Sequence, residues 1–225
     1  MRATVGAVAL VVIAKAPAAG RSKTRLCPPC TPEQAAKLAE AALRDTIATV
    51  AATPARRRIV ALDGAADGFV PTGFEVQGQR GEGLGARLGH ALVAAGGPAV
   101  VVGMDTPQLG AALLREAARR LIQPGVDAVL GPALDGGYWT IGLRRPDPAV
   151  FRGVPMSSAE TCEAQRGRLE ALGLRTAILP PLRDVDTIDD AAAVAAAAPD
   201  TEFAAAFRRV VPVVDRRPTV CTPSG

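Results

Sequence analysis

The stretch Val5-Gly6-Ala7-Val8-Ala9-Leu10-Val11-Val12-Ile13-Ala14 runs directly into Lys15-Ala16-Pro17-Ala18-Ala19-Gly20-Arg21-Ser22-Lys23-Thr24-Arg25-Leu26, and the reading of this join decides the fold. The first half is almost continuously apolar, yet too short for a membrane span, which needs about 20 residues. Such a run suits a central parallel strand buried on both faces. It also has the outline of a signal peptide, with Arg2 ahead of it and Ala14-Lys15-Ala16 as a small-x-small site, but Pro17 would hinder cleavage. The strand is the better reading, and a cytoplasmic protein without a membrane span is expected.

Outward from this join, short β-rich runs alternate with longer helical ones, the pattern of an α/β domain. Thr31-Pro32-Glu33-Gln34 supplies an N-cap, a proline at the first helical position and a capping-box glutamine. Ala39, Leu43, Ile47 and Val50 follow at helical spacing, so a helix is expected over about 32–52. Strands are expected at 59–62, 99–102, 128–131, 140–143 and 178–179. Helices are expected at 84–95, 109–122, 157–172 and 187–198. Residues 1–199 are read as one domain and 200–225 as a tail rich in Pro and Arg, partly packed through Phe203, Phe207, Val210 and Val211.

Hydrophobic residues make up 48% of the 225 and charged residues 21%, so the chain can bury a core. Aromatics are only 3%, too few to stack bases, and the net charge of +4 is spread along the chain as short arginine pairs and one triplet. Nucleic acid and membrane are therefore not expected as partners. Cys27-Pro28-Pro29-Cys30 has no second CxxC and only one histidine, His90, to complete a zinc site. As a redox pair it lacks the strand-to-helix setting of a thioredoxin motif.

Ligands of an open α/β sheet bind beyond the carboxyl ends of its strands, so the residues just after each strand carry the chemistry. The loop 15–26 gathers Lys15, Arg21, Lys23 and Arg25 around Gly20, a phosphate-binding design that is not a Walker A loop. The chain has only three lysines, and two of them stand in this loop, where a compact ammonium suits an anion. After the strand at 99–102 comes Gly103-Met104-Asp105-Thr106-Pro107. Asp105 is placed to hold a divalent cation or, alternatively, to cap the next helix.

Gly131-Pro132-Ala133-Leu134-Asp135-Gly136-Gly137-Tyr138-Trp139 holds the only Tyr and the only Trp. On a strand these two rings point to opposite faces, one to the core and one to the cleft; a tight type I′ hairpin with core aromatics is the plainer account. Asp184-Val185-Asp186-Thr187 places two carboxylates on one face of an extended segment, where they could share a cation with Asp105. The competing account is that Asp186 or Thr187 caps the last helix.

Taken together, KAPxxGxxKTRL, GxDxP, GPxxDGGYW and DVDT resemble the glycosyltransferase-A-like (GT-A) transferases associated with rSAM/selenodomain proteins or with arsenosugar biosynthesis. They are more distantly similar to 2-phospholactate guanylyltransferase and the molybdenum-cofactor guanylyltransferase. The resemblance spans about residues 8–198. It implies a nucleotide-diphospho-sugar-transferase fold, a Rossmann-like three-layer sandwich with a mixed, mostly parallel sheet. By the same resemblance Lys15, Ala16, Pro17, Gly20, Lys23, Arg25 and Gly103 would bind the nucleotide, with Lys23, Arg25 and Asp105 catalytic. Asp105 and Asp186 would hold Mg²⁺ or Mn²⁺, and Asp135, Gly136, Gly137 and Tyr138 would face the acceptor or sugar.

Three departures from the family pattern stand out: Gly81-Glu82-Gly83-Leu84-Gly85-Ala86-Arg87 where GDLGER is usual, Met156 where a Trp is common, and the Cys27 to Cys30 loop. The expected partners are a nucleotide and a small-molecule acceptor, with a homodimer left open. Nucleotidyl transfer from an NTP, glycosyl transfer from an NDP-sugar, and a degenerate nucleotide-binding module all remain compatible with these residues.

Overall fold

The computed structural model describes residues 5–66 and 68–211. In chain order its main elements are β1 (Ala9–Lys15), α1 (Pro32–Ala51), β2 (Arg57–Asp63), β3 (Glu75–Gly78), α2 (Gly83–Ala94), β4 (Ala99–Gly103) and α3 (Ala111–Leu121). There follow β5 (Ala128–Pro132), β6 (Tyr138–Leu143), α4 (Thr161–Ala171), β7 (Thr176–Ile178), α5 (Ile188–Ala197) and α6 (Glu202–Val210). The strands form one sheet in the order β3-β2-β1-β4-β6-β5-β7. All pairs are parallel except those of β6, which runs antiparallel to β4 and β5.

The expected central strand is β1, which begins at Ala9 because Val5–Ala7 forms a 3-10 turn, and it pairs in parallel with β2 on one side and β4 on the other. Its side chains alternate between two cores. Leu10, Val12 and Ala14 pack with α1 and α3, through Leu43, Ile47, Val50, Leu114 and Leu121. Ala9 and Val11 face the opposite side with Leu88 and Leu92 of α2 and Leu169 of α4. The result is a sheet between two helical layers. On its outer side α1 buries Ala35, Leu38 and Ala42 against Val194 of α5 and Phe203 of α6, so this helix is covered on both faces.

The capping box at Thr31 and Gln34 forms in both directions, and Pro32 opens α1. β3 escapes the sequence reading because it is a short edge strand with mostly exposed residues and no alternating apolar pattern. The helix expected from Ser157 or Ser158 starts instead at Thr161. Thr161 Oγ1 accepts the Ser158 amide and donates toward the Pro155 and Ser158 carbonyls, while Ser157 takes a positive φ of 61°, so the serines form a turn.

The connection between β5 and β6 is a longer hairpin loop over 133–137 rather than a two-residue type I′ turn. Trp139 lies across Gly131 of the neighbouring strand, where a Cβ would collide with its indole ring.

Residues 202–210 form the helix α6, with Thr201 as its N-cap, and residues 212–225 of the expected tail, including Cys221, lie outside the described residues. No described helix is long and apolar enough to cross a membrane. The start of α6 is held from another element: the carboxylate of Asp45 on α1 accepts the amides of Glu202 at 2.9 Å and Phe203 at 2.8 Å. Phe203 is fully buried beneath this contact. Asp45→Ala is expected to cost roughly 1–3 kcal/mol, because it orphans two amides at a helix start. Urea unfolding would measure the loss, and amide exchange should show it concentrated at 202–206; unchanged protection there would refute this account.

Candidate active site

A cleft of about 940 Å³ opens at the carboxyl ends of β1 and β4 and the start of β6. One wall is the loop after β1, with Lys15, Arg21, Ser22, Lys23, Thr24 and Arg25. The floor carries Gly103, Asp105, Asp184 and Asp186, and the other side presents Asp135, Gly137, Tyr138, Leu84, Met156 and Ser158. The structure thus brings Lys15, Lys23, Arg25, Gly103, Asp105, Asp135, Gly137, Tyr138 and Asp186 to one cavity. Ala16, Pro17, Gly20 and Gly136 are not on its walls. Ala16 closes the strand pairing by donating its amide to the Asp63 carbonyl, and Gly20 supplies a positive-φ turn at an open loop tip. Gly136, with φ 90°, lies so close to the Ala159 backbone that no side chain fits between them.

The centre of the site is an ammonium held by carboxylates. Lys23 sits in the left-handed region, φ 50°, at the head of a 3-10 turn, Thr24–Leu26. Its Nζ lies 2.6 Å from Asp105 Oδ1 and 3.6 Å from Asp186 Oδ1, and it also donates to the carbonyl of Val185. The side chain is only 9% exposed. Burial disfavours the charged amine, but Asp105, with Asp186 and Asp184 behind it, outweighs burial and holds its pKa above the ordinary lysine value. Arg25 Nη1 reaches the other oxygen of Asp186 at 3.1 Å. Two of the four cations expected to face phosphate are therefore paired with the two carboxylates expected to hold the metal.

The acidic strap is fixed by its backbone. The Val185 amide donates to the Asp105 carbonyl at 2.9 Å, and the Val185 side chain is fully buried against α1 and α5. Asp184 and Asp186 consequently both line the cleft, as alternation on an extended segment requires. Thr187, not Asp186, caps α5, and α3 is preceded by Gly110, so neither Asp186 nor Asp105 serves as a helix cap.

Asp184 is mostly buried, and its Oδ1 has no hydrogen-bond partner among the described residues. Burial, followed by the charges of Asp105 and Asp135, pushes its carboxyl up to about 8. Sequence alone offered it as one of a pair, with no signal for this burial.

On the other side of the cleft, Asp135 Oδ1 accepts the Gly137 amide at 2.8 Å and shapes the hairpin loop. Tyr138 and Trp139 do point to opposite faces. The Trp139 indole is buried and donates to the Pro180 carbonyl, whereas the Tyr138 hydroxyl donates toward Gln165 Oε1 at 3.4 Å beside Met156. Burial pushes the Tyr138 phenol well above its ordinary range, so it stays protonated.

The sequence reading missed a further cluster on the cleft wall: Arg87 on α2 bonds Asp63 at 2.9 Å and lies 3.4 Å from Gln79 Oε1, while Gln79 Nε2 ties down the Ala14 and Ala61 carbonyls. Its only signal was the altered 81–87 segment. Glu82 there precedes α2 without making a side-chain cap. Cys27 and Cys30 are both free thiols just ahead of α1.

Metal fit follows from the donor set. Among the described residues no three carboxylate, thiol or imidazole groups are spaced to hold an ion by themselves. Asp105 and Asp186 do converge on one point, since a single cationic nitrogen reaches both. Mg²⁺ is usually bound by one or two carboxylates completed by phosphate oxygens and water, so this pair fits a divalent cation that arrives with phosphate.

Because the raised pKa of Asp184 leaves the folded chain holding a proton that the unfolded chain has lost, stability falls as pH rises from about 4 to about 8. Asp184→Asn removes that contribution. In metal-free buffer the variant should match wild type near pH 4 and lead it by at least ~2–4 °C in Tm at pH 8. Thermal melts across this range check it, and parallel pH profiles would refute it.

No functionally curated protein matches the sequence. Among solved structures, a candidate nucleotide-diphospho-sugar transferase from Desulfovibrio desulfuricans G20 is similar at 26% identity and TM-score 0.82, covering 92% of this chain and 95% of its own. CMP:2-keto-3-deoxy-manno-octonic acid synthetase, solved with CTP, aligns at 14% identity and TM-score 0.57 over 84% of this chain and 98% of its own. Glucosyl-3-phosphoglycerate synthase from Mycobacterium tuberculosis, solved with Mn²⁺, UDP and phosphoglyceric acid, aligns at 13% identity and TM-score 0.51 over 79% and 69%. With the sheet order above, these likenesses identify a GT-A, Rossmann-like α/β fold. A family profile, that of the uncharacterized protein conserved in bacteria (DUF2064), matches residues 37–158, more than half of the sequence, and the chain belongs to that family.

Proposed function

We propose that this protein is a divalent-metal-dependent transferase that uses a nucleotide substrate, with nucleotidyl transfer from an NTP to a phosphorylated or sugar-like acceptor as the leading reading. The observation that carries it is the convergence of Asp105 and Asp186 on a single cation beside a loop bearing Lys15 and Arg21. The cleft, at about 940 Å³, is at the upper end of the range for one small molecule and has room for donor and acceptor together. The finer likeness to the rSAM/selenodomain- or arsenosugar-associated transferases belongs to the same reading.

In this scheme Lys15 and Arg21 draw the triphosphate to the open edge of the cleft, and Lys23 and Arg25 neutralise charge at the phosphate that reacts. Asp105 and Asp186 hold the metal. A bound divalent cation supplies Lewis-acid polarisation of the phosphate oxygens and steadies the leaving group. An acceptor oxygen seated between Asp135, Tyr138 and Ser158 attacks the α-phosphorus in line, and pyrophosphate leaves. Positioning and electrostatics carry such a reaction.

The likeness at 26% identity to a candidate nucleotide-diphospho-sugar transferase favours a second reading. There the same residues grip the diphosphate of an NDP-sugar, and the acceptor attacks the anomeric carbon.

Calorimetric titration of NTPs and NDP-sugars, with and without Mg²⁺, tests both readings. Wild type should bind one class with a strong Mg²⁺ dependence, and Asp105→Ala should lose that affinity by roughly 10–100-fold, the effect of removing one partner of a charged contact. Mg²⁺-dependent affinity retained in Asp105→Ala would overturn the metal assignment. The class of ligand bound decides between the two reactions.

A further inference from the structure

The Lys23 ammonium occupies the point that a divalent cation would need. With Nζ at 2.6 Å from Asp105 Oδ1 and 3.6 Å from Asp186 Oδ1, it lies between the two carboxylates on the side they share. A metal bound to those oxygens at about 2.1 Å would leave no room for the amine, so ion and ammonium exclude each other. The amine is held on a third side by the Val185 carbonyl, and its side chain is nearly buried, so it fills this seat as a built component of the fold.

Charge balance points the same way. Asp105 and Asp186 bring two negative charges, and Lys23 and Arg25 answer them with two positive ones. A bare divalent ion would have to displace cations already paired with these carboxylates and would find only two protein ligands there. Nucleotide phosphates change both terms. They complete the coordination of the ion, and they offer the ammonium other anions on the neighbouring loop, where Lys15 and Arg21 already face the cleft. The lysine stem, with four rotatable carbons, can make that swing.

Resting on the metal reading above, we infer that Lys23 is the resident counter-ion of the Asp105–Asp186 seat and excludes a divalent cation until nucleotide phosphate draws the ammonium away. The metal then enters with the nucleotide and not before it. Free Mg²⁺ does not charge the site in advance, and without nucleotide both carboxylates stay paired with Lys23 and Arg25.

The test titrates Mn²⁺ into the full-length, metal-free protein without nucleotide, following free Mn²⁺ by electron paramagnetic resonance. Wild type should bind weakly, and Lys23→Met should bind about tenfold or more tightly, the size of a typical coupling between exclusive sites. Adding Asp105→Asn to Lys23→Met should abolish the gain. Lys23→Gln, which keeps a donor for the Val185 carbonyl, should show the same gain if the methionine variant folds poorly; circular dichroism monitors both. Equal or weaker binding in the folded Lys23 variants would overturn the inference, as would a gain that survives Asp105→Asn. Tight Mn²⁺ binding by wild type alone would do so as well, whatever the variants show. Loss of nucleotide affinity in Asp105→Ala without a gain in Lys23→Met would leave the metal site standing and remove only the exclusion by Lys23.

Discussion

The architecture hangs on β1, which pairs in parallel with strands on both sides and is buried on both faces. A strand so placed must be apolar along its length, and its polar continuation can emerge only at an end. The chain changes from Ala14 to Lys15 at the point where the sheet gives out, and the loop that follows is delivered to the crevice beside the ends of β4 and β6. The same parallel arrangement brings Gly103 and Asp105 to the rim of that crevice, while the antiparallel β6 starts there with Tyr138. The cleft is a consequence of strand direction before it is a matter of individual side chains.

Within the cleft, charges organise one another across great sequence distances. Lys23 and Asp186 are 163 positions apart, yet the backbone bond from Val185 to Asp105 sets the acidic strap where the lysine of the first loop can reach it. The buried Val185 side chain anchors that strap to the outer helical layer. The loop after β1, the Asp105 and Asp186 carboxylates and the α5–α6 cover of α1 are in this way parts of one packed unit.

Much of this was legible in sequence for a physical reason: doubly buried strands and capped helices write local patterns. The Val5 to Ile13 run, the Thr31 capping box and the Thr187 cap each needed only neighbouring residues. Edge strand β3 left no such pattern, since Glu75 to Gly78 faces solvent, and α6 was obscured by the Pro and Arg around it. The four site segments were visible as motifs, but their pairing was not. No local rule says that the cations of one motif neutralise the carboxylates of another, nor that Asp184 loses its solvent. The Arg87, Asp63 and Gln79 cluster likewise exists only because β2, α2 and the loop after β3 pack together.

The contact between Gly136 and Ala159 bears on how this cleft could change its preferences. With backbone against backbone there, and the Cys162 amide bonded to the Gly136 carbonyl, the β5–β6 loop and the entrance to α4 form one stiff block. Gly136 in that block cannot take a side chain without pushing the Ala159 backbone away. The opposite wall is different, because Leu84 projects from the first turn of α2 and is 42% exposed. A substitution at Leu84 therefore changes the shape of the cleft on that side without touching the packed contact between Gly136 and Ala159.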